Sequence, residues 1–174
     1  MNFIEHYLSN VKKEFHRYKT MGEKTFTQLS EEDIHWKYTE EDNSVAIIVK
    51  HIVGNMLSRW TNFLTEDGEK SWRHRDTEFE APYASKNEML KAWEKGWNCL
   101  FEALDQINAS NIDQKVKIRN EEHSIVEAVN RQLAHYPSHV GQIVFIGKMI
   151  LGADWQSLSI PKGESEAFNK RMFG

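Results

Sequence analysis

The 174-residue chain is poor in the residues that staple, break or loosen a backbone: one cysteine, three prolines and nine glycines. A lone Cys99 excludes an internal disulfide and suits a reducing compartment, so a cytoplasmic location is expected. There is no surplus of positive charge. Lys and Arg number 22 against 26 Asp and Glu, a net charge of −4. Such a balance offers no basic stripe to neutralise phosphates and argues against nucleic acid as a partner. Long apolar runs are missing too: the stretches at 45–49 and 140–146 are too short or too interrupted to span a bilayer, so no membrane partner is expected. The opening Met1-Asn2-Phe3-Ile4-Glu5-His6 lacks the charged and apolar regions of a secretion signal. The length fits one domain over 1–174 with a sizeable core.

With β-type alternation scarce, helical spacing dominates. Phe3, Tyr7, Val11, Phe15, Tyr18 and Met21 predict a helix over 2–26, and Ile47, Ile48, Ile52, Met56, Trp60 and Phe63 one over 44–64. A charge-dense loop fills 66–82. Ser85 with Glu88, and Ser124 with Glu127, form capping-box signatures that open helices over 85–107 and 124–151. Between those two, Val116-Lys117-Ile118-Arg119 alternates and the next four residues read as a turn, so one short strand or hairpin is expected there. The tail 152–174, with Pro161 and Gly163, reads as an ordered but irregular wrap. These elements predict an all-α fold: a four-helix bundle with a long crossover loop.

The last helix is apolar almost all round, yet Arg131, His135, His139 and Gln142 recur on it at spacings of four, four and three. Helix two carries His51, Asn55 and Arg59 at spacings of four among isoleucines and valines. Buried polar groups without partners are costly, so two such stripes are expected to face each other across the bundle. Positions i and i+4 lie about 40° apart around a helix axis, so His135 and His139 can reach one cation. A third imidazole from His51 would complete a cradle with positions left open for water or substrate. Zinc and nickel both suit imidazole ligands. The plainer alternative is a set of hydrogen-bonded core histidines, and for Asn55, Arg59, Arg131 and Gln142 ordinary interhelical contacts. Cys99 reads as a packed thiol. Pro137 breaks a local rule, because inside a helix it cannot donate a hydrogen bond and clashes one turn back; a kink there would spoil the convergence of the two histidines.

The run from His135 to Ile143 (His-Tyr-Pro-Ser-His-Val-Gly-Gln-Ile), with His51-Ile52-Val53-Gly54-Asn55 upstream, resembles the DinB-like (DinB/YfiT) superfamily, closest to an uncharacterised bacillus-type branch. The segments 68–76 and 158–163 are similar to that branch as well. The resemblance implies a four-helix bundle, often a homodimer, with a divalent metal on His51, His135 and His139. It also implies a metal-dependent thiol S-transferase activity, since the superfamily includes thiol-dependent S-transferases and an isomerase using low-molecular-weight thiols such as bacillithiol. On that expectation the partner is a small-molecule substrate. A metal-bound thiol would lose its proton and become the nucleophile, Arg59 and Arg131 would hold carboxylates of an acidic thiol, and Asn55 and Gln142 would orient ligands. A non-catalytic or stress-related metal-binding bundle, a metal-dependent hydrolase and a plain helical dimerisation module stay open beside it.

Overall fold

The computed structural model describes residues 2–80 and 82–174. Four long helices form the body: α1 (Phe3–Gln28), α2 (Val45–Trp60), α3 (Lys86–Asp105) and α4 (Ile125–Leu151). An antiparallel hairpin, β1 (Lys115–Ile118) and β2 (Glu121–Ser124), precedes α4, and a short α5 (Ser165–Phe173) lies in the tail. Helix α2 packs against α3 and α4, and α1 against α4 and α3. The all-α bundle with one hairpin expected from the sequence is the fold observed. Among the described residues no helix is long and apolar enough to cross a membrane.

Side-chain caps start these helices. Ser124 Oγ accepts from the Glu127 N–H while the Glu127 carboxylate reaches back to the Ser124 N–H, so both halves of the box close. Asn2 and Glu5 do the same for α1. Ser85 caps α3, but Glu88 turns to the Ala84 N–H instead. Ser44 caps α2 alone.

Three boundaries differ from the sequence expectation. Helix α2 stops at Trp60 rather than near residue 64, because Thr61 is extended and Asn62 sits at φ +51°, a left-handed conformation that asparagine tolerates. The hairpin turn is two residues, Arg119-Asn120, at φ +54° and +65°; of residues 120–123, expected as turn, 121–123 join Ser124 in the returning strand. The tail folds as helix in α5 rather than as an irregular wrap throughout. Pro137 does not break α4, which runs continuously across it. Ser138 Oγ donates to the His135 carbonyl at 2.7 Å within that turn.

The core is aromatic at its centre. Phe15, Trp93, Trp97 and Tyr136 are fully buried and meet edge-on or tilted, as with Phe26 against Trp93 at 5.1 Å and 87°. Burial of this kind contributes on the order of 1.5–3 kcal/mol per large apolar side chain. The same buried cluster includes Ile52, Met56 and Trp60 of α2 with Tyr136 of α4, and this packing sets the distance between their polar stripes.

Candidate metal centre

The two stripes meet. One ring nitrogen of each of His51, His135 and His139 lies within 4.8 Å of the others, a grouping able to hold a metal ion. His51 stands on α2 and the other two on α4, with ring centroids 5.0 Å (His51–His139), 5.6 Å (His51–His135) and 4.7 Å (His135–His139) apart. Phe79 lies against the outer face of His51.

Each ring is held from behind by an acceptor. Nδ1 of His51 meets Glu78 Oε2 at 2.9 Å, Nδ1 of His135 meets Gln132 Oε1 at 3.2 Å, and Nδ1 of His139 meets Gln142 Oε1 at 2.9 Å. An oxygen behind Nδ1 keeps the proton there and leaves the Nε2 lone pair facing the cluster. Nε2 of His135 and Nε2 of His139 lie 3.1 Å apart. With both protons on Nδ1, that approach sets two lone pairs against each other, which a cation between them resolves. Bonds of about 2.0–2.1 Å to one ion are compatible with such a separation. Burial, then the neighbouring His139 and His51 and the charges of Arg73 and Arg131, hold His135 down to about 4, so the ring stays neutral. Burial likewise lowers His139. The donor set therefore fits a divalent ion: three imidazoles, each oriented by a fixed oxygen.

Glu78 was invisible in the sequence reading. It arrives on a 3-10 turn (Asp76–Glu78) within the long loop and is buried against α2. Burial raises its carboxyl pKa, but hydrogen bonds from His51 and Arg73, with the Arg73 charge, outweigh that and hold it below the ordinary range. Arg73 donates from Nε at 2.8 Å and from Nη2 at 3.1 Å, a bidentate pair on the carboxylate that also anchors His51. Gly54 makes room for it: a Cβ there would stand 2.2 Å from Glu78 Oε1.

The other expected site residues divide. Asn55, Arg59 and Arg131 line one cavity of about 230 Å³ with His51, Gln132 and His135. Gln142 lies apart, lining a second cavity of about 400 Å³ with Trp36, Ile48, Phe145 and Met149. Asn55 is partly committed to the core, where Trp60 Nε1 donates to Tyr136 Oη at 3.0 Å and Tyr136 Oη donates to Asn55 Oδ1 at 2.9 Å. Gln132, one turn before His135, was missed, although its spacing of three placed it on the same face. Cys99 is a half-buried thiol near Thr61 with its pKa raised by burial. It does not line the cavities beside the histidines.

Comparison with curated proteins finds no match. A family model described as "Protein of unknown function (DUF1572)" matches residues 2–164, and the chain belongs to that family, a member of the DinB-like superfamily.

Proposed function

We propose that this protein binds one divalent metal ion, zinc or nickel, through His51, His135 and His139, and uses it in transfer reactions of a low-molecular-weight thiol. The observation that carries the reading is the set of three Nδ1 contacts to Glu78, Gln132 and Gln142, which orients the three grouped imidazoles. An ion held there supplies Lewis acidity, which makes a thiol or water at an open position a stronger acid at neutral pH.

The chain's own groups have narrower roles. Glu78 steadies His51, and because its two oxygens already accept from His51 and Arg73 it acts as an anchor rather than a base. Gln132 and Gln142 fix two ring orientations. Cys99 is elsewhere and protonated, so the reacting thiol comes with a ligand. Transfer is favoured over a purely structural role by the continuity of the core. The buried apolar cluster runs through all four long helices and draws on none of the three histidines. A site preformed in this way tolerates loss of its ion, whereas a structural site does not.

Metal analysis of untagged protein, wild type beside His135→Ala, tests this directly. About one ion per chain is expected, lost in the variant with its circular dichroism unchanged. Consumption of a low-molecular-weight thiol with an alkyl halide as acceptor is then expected from the wild type only. A chain that takes up neither zinc nor nickel overturns the reading.

A further inference from the structure

Beside the histidines the 230 Å³ cavity is walled by five guanidiniums: Arg59, Arg73, Arg75, Arg119 and Arg131. They come from four places in the chain. Arg59 stands on α2, two turns after His51, and Arg131 on α4, one turn before His135. Arg73 and Arg75 come from the long loop and Arg119 from the hairpin turn. The loop and the hairpin are tied together by Asp67, whose carboxylate accepts from the N–H groups of Arg119 and Asn120 at 2.9 and 2.7 Å. The Gly68 N–H donates to the Lys117 carbonyl, and Ser58 Oγ donates to the Gly68 carbonyl at 2.8 Å, fixing the loop to α2. The convergence is thus built by specific backbone contacts.

The local carboxylates neutralise it only in part, although the charges of Glu69 and Asp67 reach Arg59. Glu78 takes Arg73, and Glu69 takes Arg119 at 3.1 Å and Arg73 at 3.9 Å. Among the described residues no carboxylate pairs with Arg59, Arg75 or Arg131. Arg75 instead lies over the Phe79 ring. Arg59 is the decisive case. It is 4% exposed, and its Nε and Nη1 are buried with no acceptor among the described residues. A buried charged donor without a partner destabilises a fold by about 1–3 kcal/mol or more, a cost that a bound anion removes. Gly68 yields space to it, since a Cβ there would come within 2.7 Å of Arg59 Nη1.

We propose that this cavity is a subsite for a dianionic group, a phosphate monoester or two carboxylates on one small molecule, carried by the ligand whose reactive atom meets the histidines. The inference deepens the metal-site reading and rests on it for the second half of that ligand. The volume is slightly below the ~300–1,000 Å³ of whole-ligand pockets and suits a charged head group. Guanidinium forks pair bidentately with either kind of oxyanion. A polymeric phosphate would need an extended basic surface, which a chain of net charge −4 does not offer.

Isothermal titration calorimetry on the full chain, chelator-treated and dialysed, tests the subsite without the metal. The probes are inorganic phosphate and succinate, with acetate as the single-charge control. At least one dianion should bind, with acetate weaker by about tenfold or more. Phosphate ahead of succinate identifies a phosphoryl ligand, and the reverse a dicarboxylate. The double variant Arg75→Gln/Arg131→Gln replaces exposed side chains only, so it should fold normally and weaken binding by about tenfold. Arg59→Lys keeps the charge but loses the fork and should weaken it as well. Absence of binding by both dianions, or unchanged affinity in the double variant, overturns the proposal. The titration is made without metal, so it reads the arginine-walled cavity independently of the ion. Dianion binding by a chain that takes up no metal would therefore remove the metal reading alone.

Discussion

Replacing Gly54 by alanine separates this structure from any generic helical bundle, because helix propensity and the site predict opposite signs. Gly54 lies inside α2, where alanine is ordinarily more stable by about 1 kcal/mol. Here the new Cβ would stand 2.2 Å from Glu78 Oε1 and 2.8 Å from its Cδ, so something must move. The carboxylate is not a free tip, since it accepts two bonds from Arg73 and one from His51. The Arg73 side chain is 3% exposed, so displacing Glu78 leaves a buried guanidinium with only the Glu69 carboxylate, 3.9 Å away. Breaking such a pair costs about 3–5 kcal/mol. Setting that against the propensity gain leaves Gly54→Ala less stable by about 2–4 kcal/mol. For a chain of this size the melting temperature should fall by roughly 5–15 °C. His51 also loses the oxygen behind Nδ1, and zinc affinity should drop about 10–100-fold. Urea unfolding and a competitive zinc titration read the two effects separately. A variant as stable as wild type with undiminished affinity would mean that Glu78 does not dock on α2, and the account of how His51 is oriented would fail.

Tyr136→Phe deletes the hydroxyl that accepts from Trp60 and donates to Asn55. Two buried polar groups are left without partners, and urea unfolding should show a loss of about 2–4 kcal/mol; a change below about 1 kcal/mol would refute the chain of bonds. For the metal-free protein, the depressed pKa of His135 sets a pH dependence. Its folded value of about 4 lies below the ordinary 6.5, so the unfolded chain binds the proton more readily between them. The contribution to stability is complete above 6.5 and is lost as pH falls toward 4. Taken whole the shift is worth ~3 kcal/mol, reduced by solvent at this half-buried ring to ~1–2 kcal/mol. Urea midpoints should fall across that window in the wild type and be flatter in His135→Gln; parallel profiles would contradict it.

What could be read from the sequence followed the helix period. His51, His135 and His139 stood out because a repeat of 3.6 puts them on faces that apolar neighbours mark as inward. The capping boxes worked for the same reason: Ser124 and Glu127 interact within one turn, and nothing distant alters them. Glu78 and three of the five arginines escaped because they sit in a loop and a hairpin turn without periodicity. Their positions depend on contacts such as Asp67 with the Arg119 N–H, 52 residues away in sequence. Yet the loop left a trace in the helix it covers. Gly54 falls three residues after His51, so it shares that face, and an isolated glycine in an apolar helix marks a place where something approaches closely. Gly68 is the counterpart on the loop, opposite Arg59. Both glycines leave room for charged side chains that α2 and the loop bring to the rim of one centre. The unreadable half of the site was therefore recorded as missing side chains, in the residues that make room for it.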